Sequence, residues 1–397
     1  MTLPLAAGSF AVAFLLAWGL NWLALIPWRR SAGQHWTERA RLLYPARKSA
    51  GLNILGITAS ITLVTIILDP DFDFLFTTVP AFLGAFLGGY PLSRELHPEI
   101  HFASWFRLVT AILMLFFPAW TVLFLGVAAM PGNFGPLAWA IAGVVLLVMI
   151  ALLFGLGVRL MCWLRLLQPA PEHLQSLVGE ISQPMGVPVR ATWVLPTYLS
   201  NAMALPLTRQ LIFTEKLLAT HPDAEIKAVC AHELGHLSEP RKVIFVRALV
   251  ALSFFPLIFI NPVTSLPGGA NNSLLLLIPV LFLALVRRRV SHRMEERADK
   301  IAIECKHVNP EVYARALEHL YQTNQMPAVM PSRANKTHPD LYDRMLAAGV
   351  TPDFPKPKPA RSLNWINCLV LAGLFVLPVF IGVIKTLWVT WQTMPSQ

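Results

Sequence analysis

Charged residues are scarce in this sequence: Asp, Glu, Lys and Arg make up 14% of the 397 residues, whereas hydrophobic residues make up 55%. Because soluble globular domains carry about 25% charged residues, this composition excludes an ordinary soluble domain. The hydrophobic residues fall in long runs instead of periodic stripes, and such runs are typical of membrane-spanning helices. The sequence therefore predicts a membrane protein.

Cysteine is also rare. The four cysteines are widely spaced and form no CxxC pair; they are Cys162, Cys230, Cys305 and Cys368. This pattern indicates neither a disulfide framework nor a cysteine zinc site. We expect four thiols that are packed in helices.

Acidic residues are absent from eight predicted spans. These apolar runs cover residues 3–27, 52–68, 75–92, 108–129, 137–163, 243–260, 274–286 and 365–386. Most are close to the roughly 20 residues that a helix needs to cross a bilayer. Ion and proton pathways generally need polar groups within the membrane, so the absence of acids disfavours a transporter or channel.

The net charge is +10, but the basic residues flank the apolar runs and do not form one basic face. This distribution favours membrane orientation over nucleic-acid binding, so we expect a lipid bilayer and no nucleic acid as partner. The first run has no positive segment before it and is followed by Arg29 and Arg30, which is the wrong order for a cleaved signal peptide. Alternating loop charges predict that both termini lie outside and that the region after the fifth span lies in the cytoplasm.

The sequence predicts five segments: a membrane region of five spans (1–167), a soluble segment (168–242), a membrane hairpin (243–290), a second soluble segment (291–360) and a last span (361–397). In the first soluble segment we expect a helix at 171–181 and strands at 187–195 and 209–214. A further helix is expected to start near Thr220, where a polar cap, Pro222 and acids follow one another, and to end before Pro240. In the second soluble segment we expect helices at 291–304 and 310–321.

The helix expected between Thr220 and Pro240 carries the pattern His-Glu-Leu-Gly-His at residues 232–236. His232 and His236 are four residues apart, so they project from one helix face and can bind one metal ion. Glu233 can reach a metal-bound water and act as general base. A chance match on a helix whose histidines only pack or face solvent is the alternative, and a third ligand is needed to distinguish the two.

The third ligand is not a histidine directly downstream, because residues 237–242 depart from the HExxHxxGxxH pattern. A glutamate on a separate helix is the other common solution, and Glu295 is the best candidate. Asp299 lies four residues on and could accept the second ring proton of a ligand histidine. Spacing alone leaves Glu296, His292 or Glu239 open as ligands, and a solvated helix with ion pairs is the alternative for the whole run.

Four segments resemble the membrane-integral zinc metallopeptidase family that includes type I CAAX prenyl proteases and bacterial heat-shock membrane proteases. They are, in the order of that family, Ser-Asn-Ala-Met-Ala at 200–204, Ala-His-Glu-Leu-Gly-His at 231–236, residues 291–299, and Thr-His-Pro at 337–339 followed by Arg344. A hydrophobic hairpin separates the second and third segments, as in the family. Glu296 departs from the pattern, which usually has an aromatic residue after the ligand glutamate, so subfamily and substrate stay open.

The resemblance implies that His232, His236 and Glu295 bind Zn²⁺ and that Glu233 is the catalytic acid/base. It also implies that Asn201 and His338 lie beside the bound peptide and hold the scissile carbonyl or its oxyanion. Arg344 is implied as a structural partner behind the ligands. The alternatives are a turn residue for Asn201, a helix cap for His338 and an ion pair with Asp340 for Arg344.

We therefore expect a polytopic α-helical membrane protein of about eight spans. A cytoplasmic mixed α/β zinc protease domain of gluzincin type would be split by the membrane hairpin. The predicted function is a membrane-bound zinc metalloendopeptidase that hydrolyses membrane-associated proteins or peptides, in a bacterial inner membrane. An inactive zinc-stabilised scaffold is the alternative, but the intact Glu233 argues against it.

Overall fold

The computed structural model describes residues 2–69, 74–331, 339–363 and 365–392. The chain forms two compact units. One comprises Met1–Phe102, Gln325–Arg333 and Phe354–Gln397, and the other comprises Ala103–Asn324 and Ala334–Asp353.

The elements before the first strand are helices. They are α1 (Thr2–Ala24), α2 (Ile26–Arg29), α3 (Trp36–Leu68), α4 (Phe74–Leu87), α5 (Tyr90–Leu96), α6 (Phe102–Phe116), α7 (Pro118–Ala129), α8 (Pro136–Ala151), a π-helical turn (Leu152–Leu156) and α9 (Gly157–Trp163).

The middle of the chain mixes strands and helices. In order they are β1 (Gln168–Pro169), α10 (Glu172–Ser182), β2 (Ala191–Leu195), β3 (Ala202–Leu205), β4 (Gln210–Thr214), α11 (Glu215–Thr220) and α12 (Asp223–Leu237).

The remaining elements are again helical. They are α13 (Arg241–Leu252), a 3₁₀ turn (Phe255–Phe259), α14 (Ile260–Thr264), α15 (Gly269–Leu275), α16 (Ile278–Glu304), α17 (Pro310–Thr323), α18 (Leu341–Ala347) and α19 (Trp365–Gln392).

Five helices in the described ranges are long and apolar enough to cross a membrane. They cover Leu3–Arg29, Trp36–Leu68, Pro136–Trp163, Arg241–Thr264 and Cys368–Trp391. The pair Phe102–Leu115 and Pro118–Ala129 adds a sixth if this helix, bent by 68°, is counted as one span. The eight predicted spans are therefore not confirmed: the run at 75–92 is broken into α4 and α5, and the apolar helix Asn271–Leu283 is short.

In the first unit, α4 packs closely on α1 because small residues line their contact. Ala81 and Ala85 of α4 are fully buried in one cluster with Ala13 and Ala17 of α1. A Cβ atom at Gly88 would lie 2.7 Å from the carbonyl oxygen of Phe14, which is too close for any other residue. Such small-residue contacts let backbones approach within a membrane, where packing drives helix association.

The second unit contains a four-stranded sheet in the order β1-β2-β4-β3. Strands β2 and β4 are parallel, whereas β3 is antiparallel to β4 and forms an edge of the sheet. Three consecutive residues of β4, Leu211 to Phe213, are buried, which makes this strand the centre of the sheet. The predicted strand at 187–195 is shorter than expected and begins at Ala191.

Helix α16 differs from the sequence prediction, which placed a membrane span at 274–286 and a charged helix at 291–304. It runs without a break from Ile278 to Glu304, through both the apolar and the charged run. Its only proline, Pro279, stands in the first turn, where the missing N–H removes no helical hydrogen bond. The change from apolar to charged residues therefore does not end this helix.

Candidate active site

Helix α12 presents the two histidines on one face. It begins after Pro222 with Asp223 and Glu225 in its first turn, where acids interact favourably with the helix dipole. The expected polar side-chain cap is absent, since Pro222 occupies the cap position. His232 and Glu233 are buried, with 7% and 8% of their surface exposed. The His-Glu-Leu-Gly-His pattern therefore faces the interior of the second unit.

Glu295 on α16 lies opposite both histidines. Its Oε2 atom lies 3.6 Å from Nε2 of His232 and 3.5 Å from Nε2 of His236. Zinc–ligand bonds are about 2.0–2.1 Å long, so atoms at the corners of a zinc tetrahedron lie roughly 3.3–3.4 Å apart. The carboxylate therefore lies at nearly the spacing from each imidazole that a tetrahedral ion requires, and all three ligand atoms lie within 4.8 Å of one another. The residues fit such an ion.

A glycine allows α16 to approach α12 at this point. A Cβ atom on Gly235 would lie 2.9 Å from Cα and 3.1 Å from Cβ of the fully buried Ala298. Ala298 stands between Glu295 and Asp299 on α16, so this contact positions both carboxylates. Arg297 on the same helix donates to the carbonyl oxygens of Gly235 and Ser238 at 3.0 and 3.1 Å, which caps the end of α12.

Each histidine has a carboxylate on its other ring nitrogen. Nδ1 of His232 lies 3.0 Å from Oδ1 of Asp299, and Nδ1 of His236 lies 3.0 Å from Oε1 of Glu239. A carboxylate there holds the Nδ1–H tautomer and leaves Nε2 free to bind a metal. Glu239, which spacing left open as a ligand, thus lies behind His236 and away from its Nε2 atom.

Both carboxylates are in turn held by arginines. Arg344 donates to Asp299 through Nε and Nη2 at 2.9 and 2.7 Å. Arg247 donates to Glu239 through Nε and Nη2 at 2.7 and 2.6 Å. Such two-bond pairs fix the orientation of a carboxylate. Arg344 thus contacts Asp299 on the side of the carboxylate that lies behind His232.

Tyr313 is a site residue that the sequence did not reveal. Its side chain is fully buried on α17, and its hydroxyl donates to Oδ1 of Asp299 at 2.7 Å while lying 3.0 Å from Nδ1 of His232. Arg344 donates to the same hydroxyl at 3.1 Å. The only sequence signal was the amphipathic pattern of its helix, which does not distinguish a core tyrosine from one that touches His232.

Electrostatics in this cluster favour a bound cation. Burial alone would lower the pKa of His236, but its hydrogen bonds to Glu239 and Glu295 outweigh burial and raise the pKa to about 10. Burial also opposes the charge on His232, yet Asp299 and Glu295 raise its pKa. The surrounding carboxylates therefore stabilise positive charge at both histidines, either as protons or as a metal ion.

The remaining candidate residues lie as follows. One carboxylate oxygen of Glu233 accepts a hydrogen bond from the backbone N–H of Ala204 on the edge strand β3, at 2.7 Å. Asn201 directly precedes this strand; its side chain is exposed and its backbone N–H donates to Thr214 Oγ1 at 2.8 Å. His338 lies outside the described residues. Glu296 and His292 are 3.4 Å apart on α16, and Glu296 is exposed.

A cavity of about 410 Å³ opens in the second unit at the end of β3. It is lined mainly by apolar side chains of α6, α7, α9 and α13, together with residues 205–208. Arg247, which holds Glu239, also lines it. An apolar cavity thus adjoins both the edge strand β3 and Arg247, the arginine that binds Glu239 behind His236.

Three comparisons with known proteins agree with this arrangement. The sequence model of peptidase family M48 matches residues 170–349. The protease HtpX homolog of Acaryochloris marina (strain MBIC 11017) is 26% identical, over 44% of this chain and 70% of that protein. The crystal structure of S. mikatae Ste24p has a similar fold, with a TM-score of 0.52 and 16% identity over 87% of this chain and 98% of that chain.

The apolar helices, the fold and the buried histidine–glutamate cluster define a membrane-embedded metallopeptidase. Residues 170–349, a little under half of the chain, therefore resemble peptidase family M48. The family resemblance that the four sequence segments indicated is confirmed. The expectation of four thiols packed in helices is only partly met: Cys305 follows the end of α16, and Cys368 of α19 is exposed.

Proposed function

We propose that the chain is a zinc endopeptidase that cleaves membrane-associated proteins or peptides. The observation that carries this proposal is that Oε2 of Glu295 lies 3.6 Å from Nε2 of His232 and 3.5 Å from Nε2 of His236, with Glu233 next to His232 on the same helix. Two imidazoles, one carboxylate and an open fourth position are the donor set of a catalytic zinc site.

Zinc bound there would polarise the scissile carbonyl and lower the pKa of a bound water. Glu233 would accept the proton of the attacking water and transfer it to the leaving amine. The hydrogen bond from Ala204 holds one oxygen of Glu233, which leaves the other oxygen of the same carboxylate for this proton. Asp299 and Glu239 would hold the ligand histidines in the correct tautomer.

Asn201 and His338 are proposed to hold the carbonyl oxygen of the substrate as negative charge develops on it. The position of Asn201 directly before the edge strand supports this role, since a peptide bound along that strand would pass its side chain. For His338 the proposal rests on the family motif Thr-His-Pro at residues 337–339.

The substrate is proposed to bind as an extended strand on β3. An edge strand offers unpaired backbone groups that an extended peptide can match. Because Ala204 donates to Glu233 from that edge, a peptide there would have its backbone beside the catalytic carboxylate. The adjoining apolar cavity supports a substrate with large apolar groups close to the cleaved bond.

The active site is proposed to face the cytoplasm, in a bacterial inner membrane. The loops that flank the apolar runs support this orientation: Arg29 and Arg30 follow the first run, whereas Asp69 follows the second. Reporter fusions that are active only in one compartment, placed after Lys242, test it. Activity of an exported phosphatase at that position would contradict the proposal.

Peptide cleavage by the wild type and by Glu233→Gln in detergent tests the proposed activity. We expect a loss of at least about 100-fold in the variant with zinc content unchanged, because the ligands remain but the base is removed. Glu296→Gln is the matched control, since this exposed carboxylate stands next to Glu295 and should leave activity unchanged. Equal cleavage by wild type and Glu233→Gln would overturn the protease proposal, and no cleavage by either with zinc bound would support the alternative, an inactive zinc-stabilised scaffold.

A further inference from the structure

A second group of metal-binding side chains lies at the other end of α12. It comprises His221 directly before the helix, Glu225 in its first turn and His319 on α17, and one ligand atom of each lies within 4.8 Å of the other two. Nδ1 of His319 is 2.9 Å from Oε2 of Glu225. The rings of His221 and His319 stack with centroids 4.0 Å apart.

The hydrogen bonds around His221 determine which of its nitrogens carries the proton. Thr220 Oγ1 lies 2.7 Å from the carbonyl oxygen of Lys216, which can only accept, so the hydroxyl donates there. The same Oγ1 lies 2.9 Å from Nδ1 of His221 and must therefore accept from an Nδ1–H group. The lone pair of the neutral ring is left on Nε2.

That Nε2 atom is buried and makes no hydrogen bond to any described residue. Only 5% of the surface of His221 is exposed. Burial, together with the nearby His319, lowers the pKa of His221 to about 4, so the ring is neutral at pH 7. A buried lone pair without a donor is destabilising, and a metal ion would satisfy it.

We propose that His221, Glu225 and His319 bind a second divalent transition-metal ion, separate from the His232–His236–Glu295 site. Two imidazole nitrogens and a carboxylate oxygen suit Zn²⁺ better than Mg²⁺ or Ca²⁺, which prefer oxygen ligands. The side chains of His319 and Glu225 are 36% and 17% exposed, so water can complete the coordination and the ion can exchange.

This ion would join the two helices that carry the active-site residues. Glu225 stands seven residues before His232 on α12, and His319 stands six residues after Tyr313 on α17. Tyr313 in turn contacts His232. An ion between Glu225 and His319 would therefore fix the spacing of the same helix pair on which the contact between Tyr313 and His232 depends, without touching the substrate.

Zinc stoichiometry of the full-length protein in detergent tests the proposal. The protein is dialysed to equilibrium against about 10 μM free Zn²⁺, and bound zinc per chain is measured by mass spectrometry. We expect two ions in the wild type, one in His319→Ala, one in His232→Ala and none in the double variant. Exposed His307, outside both clusters, supplies the control: His307→Ala should retain two ions.

Glu225→Gln keeps the size of the side chain and guards against misfolding as the cause of a loss. It should also bind one ion and should retain the ion of the His232 site. One ion in the wild type would overturn the proposal, as would two ions in both His319→Ala and Glu225→Gln. Failure of the proposed protease function would appear differently, as lost or absent cleavage with the His319-dependent ion still bound.

Discussion

Arg344 binds Asp299 through two parallel hydrogen bonds, from Nε to Oδ2 at 2.9 Å and from Nη2 to Oδ1 at 2.7 Å. Both side chains are buried, with 6% and 11% exposure. Burial alone would raise the pKa of Asp299, but Arg344 and His232 hold it well below its usual value. Asp299 therefore stays ionised at neutral pH and can accept a hydrogen bond from the Nδ1–H group of His232.

Removing the arginine should leave a buried, unpaired carboxylate. We expect Arg344→Ala to destabilise the second unit by about 3–5 kcal/mol, because breaking one partner of a buried pair leaves the other charge uncompensated. Thermal unfolding in detergent measures this loss. Arg315→Ala is the control: Arg315 pairs with Glu318 and exposed Asp353 near the surface, where an ion pair contributes about 0–1 kcal/mol. Equal losses in the two variants would contradict the interpretation.

Metal binding at the active site should tighten as the pH rises. The pKa of His236 is raised to about 10 in the metal-free protein, so at neutral pH the ring must lose a proton before it can bind a metal. Each such proton makes zinc affinity rise about tenfold per pH unit below that pKa. Zinc affinity measured with a competing chelator between pH 6 and 8 checks this slope.

Glu239→Gln isolates the contribution of His236 to that slope. The amide cannot stabilise the imidazolium charge, so the pKa of His236 should fall and one proton fewer should be released. We expect a zinc affinity that is about 10–100-fold weaker at high pH, since the orienting carboxylate is lost. In this variant zinc affinity should also rise less steeply with pH, by about one factor of ten less for each pH unit. A slope identical to that of the wild type would show that Glu239 does not control this histidine.

The sequence predicted the local parts of the site and named Glu295 and Asp299 as candidates, but it missed Tyr313 and strand β3. The spacing of His232 and His236, or of Glu295 and Asp299, is a property of one helix, and a periodic pattern is sufficient to recognise it. Tyr313 reaches Asp299 only through the packing of α17, which no local pattern encodes. The four-residue strand β3 was missed because it is too short to show alternation. It ends at Leu205, and Pro206 follows directly.

Gly235 should be required for the approach of α16 to α12. A Cβ atom there would lie 2.9 Å from Cα of Ala298, so Gly235→Ala must move α16 away and displace Glu295. We expect a loss of about 1–3 kcal/mol from overpacking, together with weaker zinc binding. Thermal unfolding and zinc titration measure the two effects.

Gly179 in α10 offers a matched control for this substitution. The nearest atom to a Cβ at Gly179 would be the side-chain nitrogen of Gln183 at 3.9 Å, which is an ordinary contact. Gly179→Ala should therefore stabilise the protein by up to about 1 kcal/mol, as expected for alanine in place of glycine within a helix. Zinc affinity that is unchanged in Gly235→Ala would show that the helix contact does not position Glu295.

Ala204→Pro tests whether the edge of β3 takes part in catalysis. Proline removes the N–H group that donates to Glu233 at 2.7 Å, and an edge strand tolerates proline because this N–H does not pair within the sheet. We expect kcat/KM for peptide cleavage to fall about 10–100-fold with zinc content unchanged, since Glu233 loses the donor that holds it at the edge of β3. Ala204→Gly keeps the N–H and should retain nearly full activity. If the proline variant cleaves as fast as the glycine variant, the substrate does not bind on this edge and Glu233 is positioned by other contacts.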